Sequence, residues 1–270
     1  MPDPLPADLA EPLLASSRRR RGFGDPTIYF AEIGSTNDVA ARLAEQGAAE
    51  GTIVLASAQT AGRGRMGRVW HSPADAGLYV SVICRSARAA PYLTLAGGVA
   101  TAEGVSAATG LPVEIKWPND IVVISGAPRR RRKLAGVLAE GVSTPEGLQH
   151  VILGIGINIR PAAYPTEFAD RATSIETELG RAVDRGAVLV ELLAVLGGLV
   201  RDLSNGQSAD LLARWRALAP SSQGAPLECD SPAGPLTGTA AGIAEDGALL
   251  VRVGDRVERV VSGEIRWKNM

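Results

Sequence analysis

Cysteine and histidine are scarce in this chain, which contains only two of each among its 270 residues. Cys84 and Cys229 are too few for a disulfide framework, and no CxxC pair of the kind that holds a metal occurs. His71 and His150 likewise offer too few ligands for a zinc site. These absences argue against a disulfide-rich secreted protein and predict an enzyme of the reducing cytoplasm.

Long apolar runs and an excess of either charge are also missing. No apolar stretch approaches the roughly 20 residues that a membrane-spanning helix needs, so no membrane partner is expected. Lys and Arg number 28 and Asp and Glu 29, a net charge of −1 that argues against a general nucleic-acid coat. Hydrophobic residues make up 46% of the chain, enough for one sizeable domain and a small second one.

The first 24 residues predict a flexible N-terminal tail. Prolines and acidic residues interrupt this segment. Its arginine run at 18–21 follows the apolar residues, whereas a targeting signal would place such a run before them. We therefore expect residues 1–24 to form a short, partly ordered tail that carries no targeting information.

Strands and helices are predicted over residues 25–220 from hydrophobic periodicity and capping residues. The predicted helices cover residues 36–46, 93–108, 186–203 and 209–218, and Gly97 and Gly98 would let the second pack closely on a sheet. The predicted strands cover residues 52–56, 78–84, 113–117, 121–124, 134–142 and 151–159. Residues 125–132, which contain four consecutive arginines, predict a solvated loop.

The composition changes after Pro220. Short strand-like segments at 236–243, 248–253, 256–261 and 264–267 are separated by Asp-Gly and Gly-Asp turns. A segment of this length that is made of hairpins predicts a small β-barrel over residues 221–270. The sequence therefore predicts an α+β domain over residues 25–220 with an appended β domain.

A glycine–arginine loop at residues 61–68 is the most specific chemical motif. Its glycines bring backbone N–H groups close to a ligand, and its arginines offer planar forks that match phosphate or carboxylate oxygens. The residues concerned are Gly62, Arg63, Gly64, Arg65, Gly67 and Arg68. The loop follows a predicted buried strand, where a sheet end commonly meets a ligand. The ending of a P-loop is absent, and a solvated loop or an RNA-binding patch is the alternative.

Two lysine motifs follow. The KWPND segment at 116–120 places Lys116, Asn119 and Asp120 at the end of a strand, where Asp120 can bind Mg²⁺ or an arginine of the loop. An ordinary turn explains the same residues. In KLAG, Lys133 opens an apolar strand and can neutralise charge that grows on a phosphoryl group. The alternative is that Lys133 only ends the run of arginines.

Two further motifs carry less information alone. The glycines of GIGIN at 154–158 allow close backbone approach, and Asn158 can reach a ribose or a phosphate. No helix follows as a Rossmann site requires. Ser35, Thr36 and Asn37 begin a predicted helix, and a helix cap would explain them fully.

Taken in order, these segments resemble the biotin protein ligase family. The matching segments are GSTN at 34–37, QTAGRGRMGRVW at 59–70, KWPND at 116–120, KLAG at 133–136 and GIGIN at 154–158. The resemblance is close over residues 28–160 and looser from there to Trp267. The combination of the glycine–arginine loop with KWPND and KLAG is highly specific.

The resemblance implies a fold and a reaction. The fold would be α+β, a mixed β-sheet like that of class II aminoacyl-tRNA synthetases followed by an SH3-like C-terminal β-barrel. The enzyme would use ATP and Mg²⁺ to convert biotin to biotinyl-5′-AMP. It would then transfer biotin to a lysine of a biotin carboxyl carrier protein or domain, acting as a monomer or a homodimer.

The resemblance also implies roles for particular residues. The residues implied to bind biotin are Ser35, Thr36, Asn37, Gln59, Arg63, Gly64, Arg65 and Lys133. Those implied to bind ATP or the adenylate are Arg65, Arg68, Trp70, Lys116, Asn119, Asp120 and Asn158, with Asp120 also close to Mg²⁺. Lys133, Arg63 and Arg65 would be catalytic.

Three features depart from the family pattern. Members that also repress transcription carry an N-terminal helix-turn-helix domain, whereas only a short segment precedes Tyr29 here, so no DNA binding is expected. The arginine-rich insert at 129–132 lengthens the turn before Lys133. Met66 stands where arginine is often found, which removes one charge from the loop.

Three other functions compete with this interpretation. A lipoate or octanoate ligase or transferase shares the fold class but lacks the paired AGRGR and KWPND motifs. An RNA-binding module could use the arginines, although an aromatic content of 4% offers few stacking platforms. A catalytically inactive scaffold would not need the intact loop and both lysines.

Overall fold

The computed structural model describes residues 1–125, 130–162, 164, 169–231 and 234–267. The helices are α1 (Ala7–Ala15), α2 (Ser17–Arg20), α3 (Thr36–Glu45), α4 (Leu93–Thr109), α5 (Ile175–Leu179), α6 (Arg185–Ser204) and α7 (Ala209–Leu218). The strands are β1 (Thr27–Ile33), β2 (Ile53–Gln59), β3 (Gly77–Cys84), β4 (Glu114–Lys116), β5 (Asp120–Ser125), β6 (Arg130–Thr144), β7 (Gly147–Asn158), β8 (Gln223–Ser231), β9 (Gly234–Ile243), β10 (Leu249–Val253), β11 (Arg256–Val260) and β12 (Glu264–Trp267).

A seven-stranded mixed sheet forms the centre of the larger domain, with the order β1-β2-β3-β7-β6-β5-β4. β1 and β2 are parallel, and all other neighbours in this sheet are antiparallel. The predicted mixed sheet is therefore confirmed. β6 and β7 form a hairpin, because they pair along most of their length on either side of the turn before Gly147.

Helices cover both faces of this sheet. On one face, Val39, Ala40 and Ala44 of α3 pack against apolar residues of β2, β3 and β7. On the other face, α4 packs against β6 and β7, and α6 packs against α4. A Cβ added at Gly97 of α4 would lie 2.8 Å from the Val137 side chain, so the helix approaches the sheet as closely as its glycine permits. The close packing predicted for this glycine is confirmed.

The α4–α6 contact yields a stability prediction. A Cβ at Gly104 would lie 2.7 Å from the backbone nitrogen of Leu192, so Gly104→Ala should push the two helices apart. We expect a loss of about 1–3 kcal/mol, which is typical of overpacking in a core. Gly198→Ala is the matched control, because no atom lies within 4 Å of its added Cβ and alanine is the better helix former. Equal melting temperatures for the two variants in thermal denaturation would contradict this account.

The C-terminal segment forms a second sheet of five antiparallel strands in the order β11-β10-β9-β8-β12. The predicted appended β domain is confirmed in this form. The first of its strands, β8, was not predicted, because Gly224 and Pro226 interrupt the strand pattern in the sequence. In the structure, the register between β8 and β9 shifts between Gln223 and Pro226. The indole of Trp117 donates a hydrogen bond to the carbonyl of Gly247 at 3.0 Å and thereby joins the two sheets.

The prediction of a flexible N-terminal tail is wrong. Residues 7–15 and 17–20 are helical, and Leu9 and Leu13 are buried in the main core. The carboxylate of Asp8 lies 2.6 Å from the guanidinium of Arg185 on α6, and this cation lowers the pKa of Asp8. Buried Arg20 donates to the carbonyls of Leu13 and Phe23. Tertiary packing thus overrides the prolines of this segment.

The boundary predicted at residue 220, between the α+β domain and the appended β domain, stays a proposal.

The prediction of a solvated arginine loop is also wrong for the part of it that the structure describes. Arg130, Arg131 and Arg132 are the first residues of β6 and pair with the end of β5, while Arg129 lies outside the described residues. Arg132 forms an ion pair of 2.7 Å with Glu178 of α5.

Among the described helices, none is both long and apolar enough to cross a membrane.

Candidate functional site

One cavity of about 900 Å³ gathers all of the predicted site residues. It extends from α3 and the end of β2, across the middle strands β6 and β7, to β4, β5 and the C-terminal sheet. The predicted residues that line it are Ser35, Thr36, Asn37, Gln59, Arg63, Gly64, Arg65, Arg68, Trp70, Lys116, Asn119, Asp120, Lys133 and Asn158. Motifs that are far apart in the sequence therefore meet at one site.

A network of short polar side chains lies at the β1–β3 end of the cavity. The carboxamide oxygen of Gln59 accepts hydrogen bonds from the backbone N–H of Thr36 at 2.9 Å and from its hydroxyl at 3.1 Å. The Gln59 amide donates to the Ser72 hydroxyl at 2.9 Å. The Ser81 hydroxyl lies 2.7 Å from the Thr36 hydroxyl and 2.5 Å from the Asn37 carboxamide oxygen, and it can donate its one hydrogen to either. These bonds fix the direction of each donor and acceptor before any ligand binds.

Ser35 is the N-cap residue of α3, but its hydroxyl makes no capping hydrogen bond. The residue is only 3% exposed and lines the cavity. The simplest interpretation of the Ser-Thr-Asn sequence is a helix cap. Because the Ser35 hydroxyl does not cap the helix, this interpretation does not explain Ser35. The position of Ser35 favours a contact with a ligand.

Arg63 and Asn37 meet at Glu140 of β6. The Asn37 amide donates to the Glu140 carboxylate at 2.5 Å, and the guanidinium of Arg63 lies 3.3 Å from the same carboxylate. Arg63 also pairs with Asp38 at 2.7 Å, and this ion pair lowers the pKa of Asp38. A Cβ at Gly154 would lie 2.5 Å from the Asn37 carboxamide oxygen. The glycine in β7 is therefore needed to leave room for Asn37.

The glycine–arginine loop folds back on itself. The N–H of Gly64 donates to the carbonyl of Arg68 at 2.7 Å, and the N–H of Trp70 donates to Gly62 at 2.9 Å. Between them, a 3₁₀ turn spans Arg65–Gly67, with Met66 at φ 58° and Gly67 at φ 72°. Such left-handed backbone conformations favour glycine, so Met66 adopts one that is uncommon for its type.

Two arginines of the loop point toward β5 and the C-terminal sheet. The Arg65 guanidinium lies 3.5 Å from the Asn119 carboxamide oxygen, and burial lowers the pKa of Arg65. The Arg68 guanidinium lies 2.5 Å from the carboxylate of Glu264 on β12, and this ion pair lowers the pKa of Glu264. The second sheet therefore contributes directly to the surroundings of the loop.

Trp70 lies in the middle of the cavity against two glycines that face each other on β6 and β7. A Cβ at Gly156 would lie 2.4 Å from the indole nitrogen of Trp70, and a Cβ at Gly136 would lie 3.1 Å from its ring. The indole N–H is buried and has no partner among the described residues. Only glycine at these positions lets the tryptophan approach the sheet this closely.

Lys133 and Asp120 form an ion pair of 2.5 Å at the centre of the cavity. The Lys133 ammonium also lies 5.3 Å from the centroid of the Trp70 ring, within the range of a cation–π contact. Burial lowers the pKa of Lys116 on the neighbouring strand β4. Among the described residues, no group of three or more His, Cys, Asp or Glu side chains is arranged to hold a metal ion.

Two amides of the predicted site have structural partners. The Asn119 amide donates to the carbonyl of Val137 at 2.7 Å, and the Asn158 amide donates to the carbonyl of Thr173 at 2.9 Å. The N–H of Thr173 in turn donates to the carbonyl of Lys133 at 3.0 Å. Both asparagines therefore also hold strand ends and the chain after β7 in place around the cavity.

Several residues of the site were not predicted from the sequence. Ser72, Ser81 and Glu140 bond to predicted residues, while Glu264 and Trp267 enter from the C-terminal sheet. Ser81 and Glu140 lie in β3 and β6, and no sequence motif distinguishes them from other polar residues of a β-strand. The only available indication in the sequence is strand alternation, which places such residues on the same face as predicted site residues.

Comparisons with known proteins agree with this arrangement. Residues 29–158 match the Biotin/lipoate A/B protein ligase family, and residues 229–266 match the Biotin protein ligase C terminal domain. The chain is similar to the Bifunctional ligase/repressor BirA of Bacillus subtilis (strain 168), with 33% identity over 265 residues that cover 96% of this chain and 79% of that protein. It is also similar to the Biotin--[acetyl-CoA-carboxylase] ligase of Mycobacterium tuberculosis, with 35% identity over 245 residues that cover 87% of this chain and 86% of that protein.

A solved structure extends the similarity to the fold. The biotin protein ligase from Aquifex aeolicus in complex with biotin and ATP superposes with a TM-score of 0.76. The sequences are 28% identical, and the superposition covers 90% of this chain and 99% of that one. The similarity therefore includes both the seven-stranded sheet and the C-terminal sheet.

Proposed function

This chain belongs to the biotin protein ligase family, and on that premise we propose that it activates biotin with ATP and transfers it to a lysine of a carrier protein. Each half of the reaction needs a different environment. Biotin needs paired donors and acceptors in an apolar slot, whereas ATP needs positive charge. The cavity offers both, with Lys133 between them.

The observation that carries this proposal is the order of side chains along the sheet. Ser35 and the hydrogen-bonded pair of Thr36 and Gln59 lie at the β1–β3 end, where they can bond the ureido ring of biotin. Arg65 and Lys116 lie toward the β4–β5 end, where they can bind phosphates. The biotin carboxylate and the α-phosphorus of ATP would then meet near Lys133.

The first step joins two anions. A carboxylate oxygen of biotin forms a bond to the α-phosphorus, the bond from this phosphorus to the bridging oxygen breaks, and pyrophosphate leaves with the electron pair. Arg63, Arg65 and Lys133 can reduce the repulsion and stabilise the charge that develops on the phosphoryl oxygens. The backbone N–H groups of the loop add fixed dipoles near Gly64.

The second step consumes the mixed anhydride. The neutral amine of the acceptor lysine attacks the acyl carbon of biotinyl-5′-AMP and an amide bond forms. The bond from this carbon to the phosphate oxygen breaks, AMP leaves with the electron pair, and the nitrogen loses a proton to solvent. Because water would hydrolyse the same anhydride, the site has to be shielded between the two steps. The glycine–arginine loop with Trp70 lies over the middle of the cavity and can provide this cover.

The acceptor is proposed to be a biotin carboxyl carrier protein or domain. This proposal is supported by the name of the Mycobacterium tuberculosis relative, a biotin--[acetyl-CoA-carboxylase] ligase. A cytoplasmic location agrees with it, since that is where such carriers would be modified. The predictions of a monomer or homodimer and of no DNA binding stay predictions.

Mg²⁺ would enter as the complex with ATP. Such an ion keeps several waters and takes its remaining ligands from the phosphates and from one or two carboxylates. Asp120 lines the cavity, forms an ion pair with Lys133 and directly follows Asn119 in the sequence. We therefore propose its carboxylate as the protein's contact to Mg²⁺. Its ion pair with Lys133 would have to loosen for this contact to form.

The test compares acids. Purified protein with MgATP should release pyrophosphate when biotin is added, and neither lipoate nor octanoate should substitute for it. Release with lipoate or octanoate in place of biotin would assign the protein to the alternative activity of the same fold. Without release for any acid the ligase proposal fails, and RNA binding by the arginines becomes the next hypothesis to measure.

A further inference from the structure

Three partly buried cations of the cavity form no ion pair in the described part of the chain. Arg65, Lys116 and Arg131 all line the cavity, yet none takes part in the ion pairs found there. Burial lowers the pKa of each of the three, because desolvation disfavours the charged form. Cations that are partly withdrawn from water and left without an ion pair are costly, so their grouping favours an anionic ligand.

Arg131 is the member of this group that no motif predicted. Because it lies in β6 and not in a loop, strand alternation places its side chain on the same face as that of Lys133, two residues further along. Arg132 lies between them and pairs with Glu178 outside the cavity. Among the described arginines of the run, Arg130 and Arg131 line the cavity, whereas Arg132 does not.

The guanidinium of Arg131 is held in position by the C-terminal part of the chain. It lies 5.3 Å from the centroid of the Trp267 ring, and one of its terminal nitrogens donates a hydrogen bond to the Ser221 hydroxyl. The other terminal nitrogen is buried and has no partner among the described residues. The guanidinium is therefore oriented, but the N–H groups of this second terminal nitrogen have no acceptor among the described residues.

The order of the strands locates this unused donor relative to the reaction. Lys133 lies beside Trp70 and Asp120 in the middle of the cavity, whereas Arg131 lies nearer the start of β6, opposite Ile124 of β5 and beside Trp267. Arg131 is thus on the side away from the biotin-facing network. An ATP whose α-phosphate is close to Lys133 would extend its terminal phosphates in this direction.

We propose that Arg131, oriented by Trp267, binds the β- and γ-phosphates of ATP and then the pyrophosphate that leaves. This inference rests on the proposed function. When the bond between the α-phosphorus and the bridging oxygen breaks, its electron pair stays on the pyrophosphate, and Arg131 lies where it can donate to that added charge. Lys116 and Arg65 share the same anion, and no proton transfer is required of Arg131.

The test removes the guanidinium and measures three ligands. Arg131→Gln should weaken binding of ATP and of inorganic pyrophosphate by about tenfold in isothermal titration calorimetry, the size expected for one charge-assisted hydrogen bond. AMP, which lacks the terminal phosphates, should bind as it does to the wild type. Arg132→Gln is the matched control, since it removes the same charge from the next residue of the strand, and its pyrophosphate affinity should equal that of the wild type.

A second variant covers the case in which Arg131→Gln unfolds in thermal melting. Arg131→Lys keeps the charge but not the planar fork, and it should raise the KM for ATP several-fold while leaving the KM for biotin unchanged. Equal losses of AMP and pyrophosphate affinity would overturn the inference, as would an unchanged pyrophosphate affinity in both Arg131 variants. The proposed function fails separately, if the wild type releases no pyrophosphate with biotin.

Discussion

Replacing Lys133 with alanine should slow formation of biotinyl-5′-AMP by about 10²–10³-fold while leaving the Kd for biotin nearly unchanged. The reason is that its ammonium group lies between the biotin-facing network and the phosphate-binding cations, where charge grows only as the new bond forms. Removal of one preorganised group that stabilises such charge typically costs this much in kcat. Single-turnover formation of the adenylate measures the step directly, and calorimetry with biotin alone measures binding.

The Lys133 variant also leaves Asp120 without its ion-pair partner. The double variant Lys133→Ala, Asp120→Asn separates the two effects, because it removes the unpaired carboxylate together with the lysine. We expect the double variant to stay slow. A recovery of the rate in the double variant would mean that repulsion by Asp120 caused the loss. Loss of biotin binding in the single variant would instead make Lys133 an anchor of the ground state.

Replacing Gly156 with alanine should lower kcat/KM for biotin activation by about 10²-fold. The added Cβ would lie 2.4 Å from the indole nitrogen of Trp70, so the tryptophan and the end of the glycine–arginine loop have to move off the sheet. Displacement of a positioning group by about 1 Å can cost this much in rate. Steady-state pyrophosphate release at varied biotin concentration measures the loss.

Gly141→Ala is the matched control for this variant. Gly141 belongs to the same β6–β7 hairpin, but its added Cβ would meet Leu148 and Val151 only at ordinary contact distances of 3.6 and 3.8 Å. Its kcat/KM should equal that of the wild type. If Gly156→Ala is as active as Gly141→Ala, Trp70 has no fixed position in the working site. A melting temperature of Gly156→Ala that falls below the assay temperature would assign the loss of activity to folding.

Sequence motifs were sufficient to identify the residues that converge on the site. The glycine–arginine loop, the KWPND turn and Lys133 are chemically unusual combinations, and each follows or opens an apolar strand. Strand ends meet at the edge of a sheet, so residues far apart in sequence reach one cavity. The glycine of GIGIN that approaches Trp70 also agrees with the close backbone approach that the motif predicted.

The supporting residues could not be predicted in the same way. Ser81 and Glu140 are single polar residues in β-strands, and only the sheet order places them beside Asn37. Glu264 and Trp267 come from the second sheet, and nothing local in the sequence indicates that they face the cavity. Such contacts depend on tertiary packing, which periodicity does not encode.

Two wrong predictions have the same physical origin. The N-terminal segment was predicted as a tail because its prolines disfavour a helix, but burial of Leu9 and Leu13 against the core outweighs that preference. The arginines after residue 129 were predicted as a loop because they are charged, yet pairing with β5 and contacts with Glu178 and Trp267 keep them in a strand. In both cases local composition was a weaker determinant than tertiary contacts.

The most direct test of the proposed function is transfer to a carrier. The purified chain would be incubated with biotin, MgATP and an isolated biotin carboxyl carrier domain, and the domain would then be analysed by intact mass spectrometry and peptide mapping. The account predicts one added biotinyl group, on the carrier's acceptor lysine, that depends on ATP and is absent when that lysine is replaced by arginine. A carrier whose mass is unchanged, under conditions in which an established biotin ligase modifies it completely, would contradict the account.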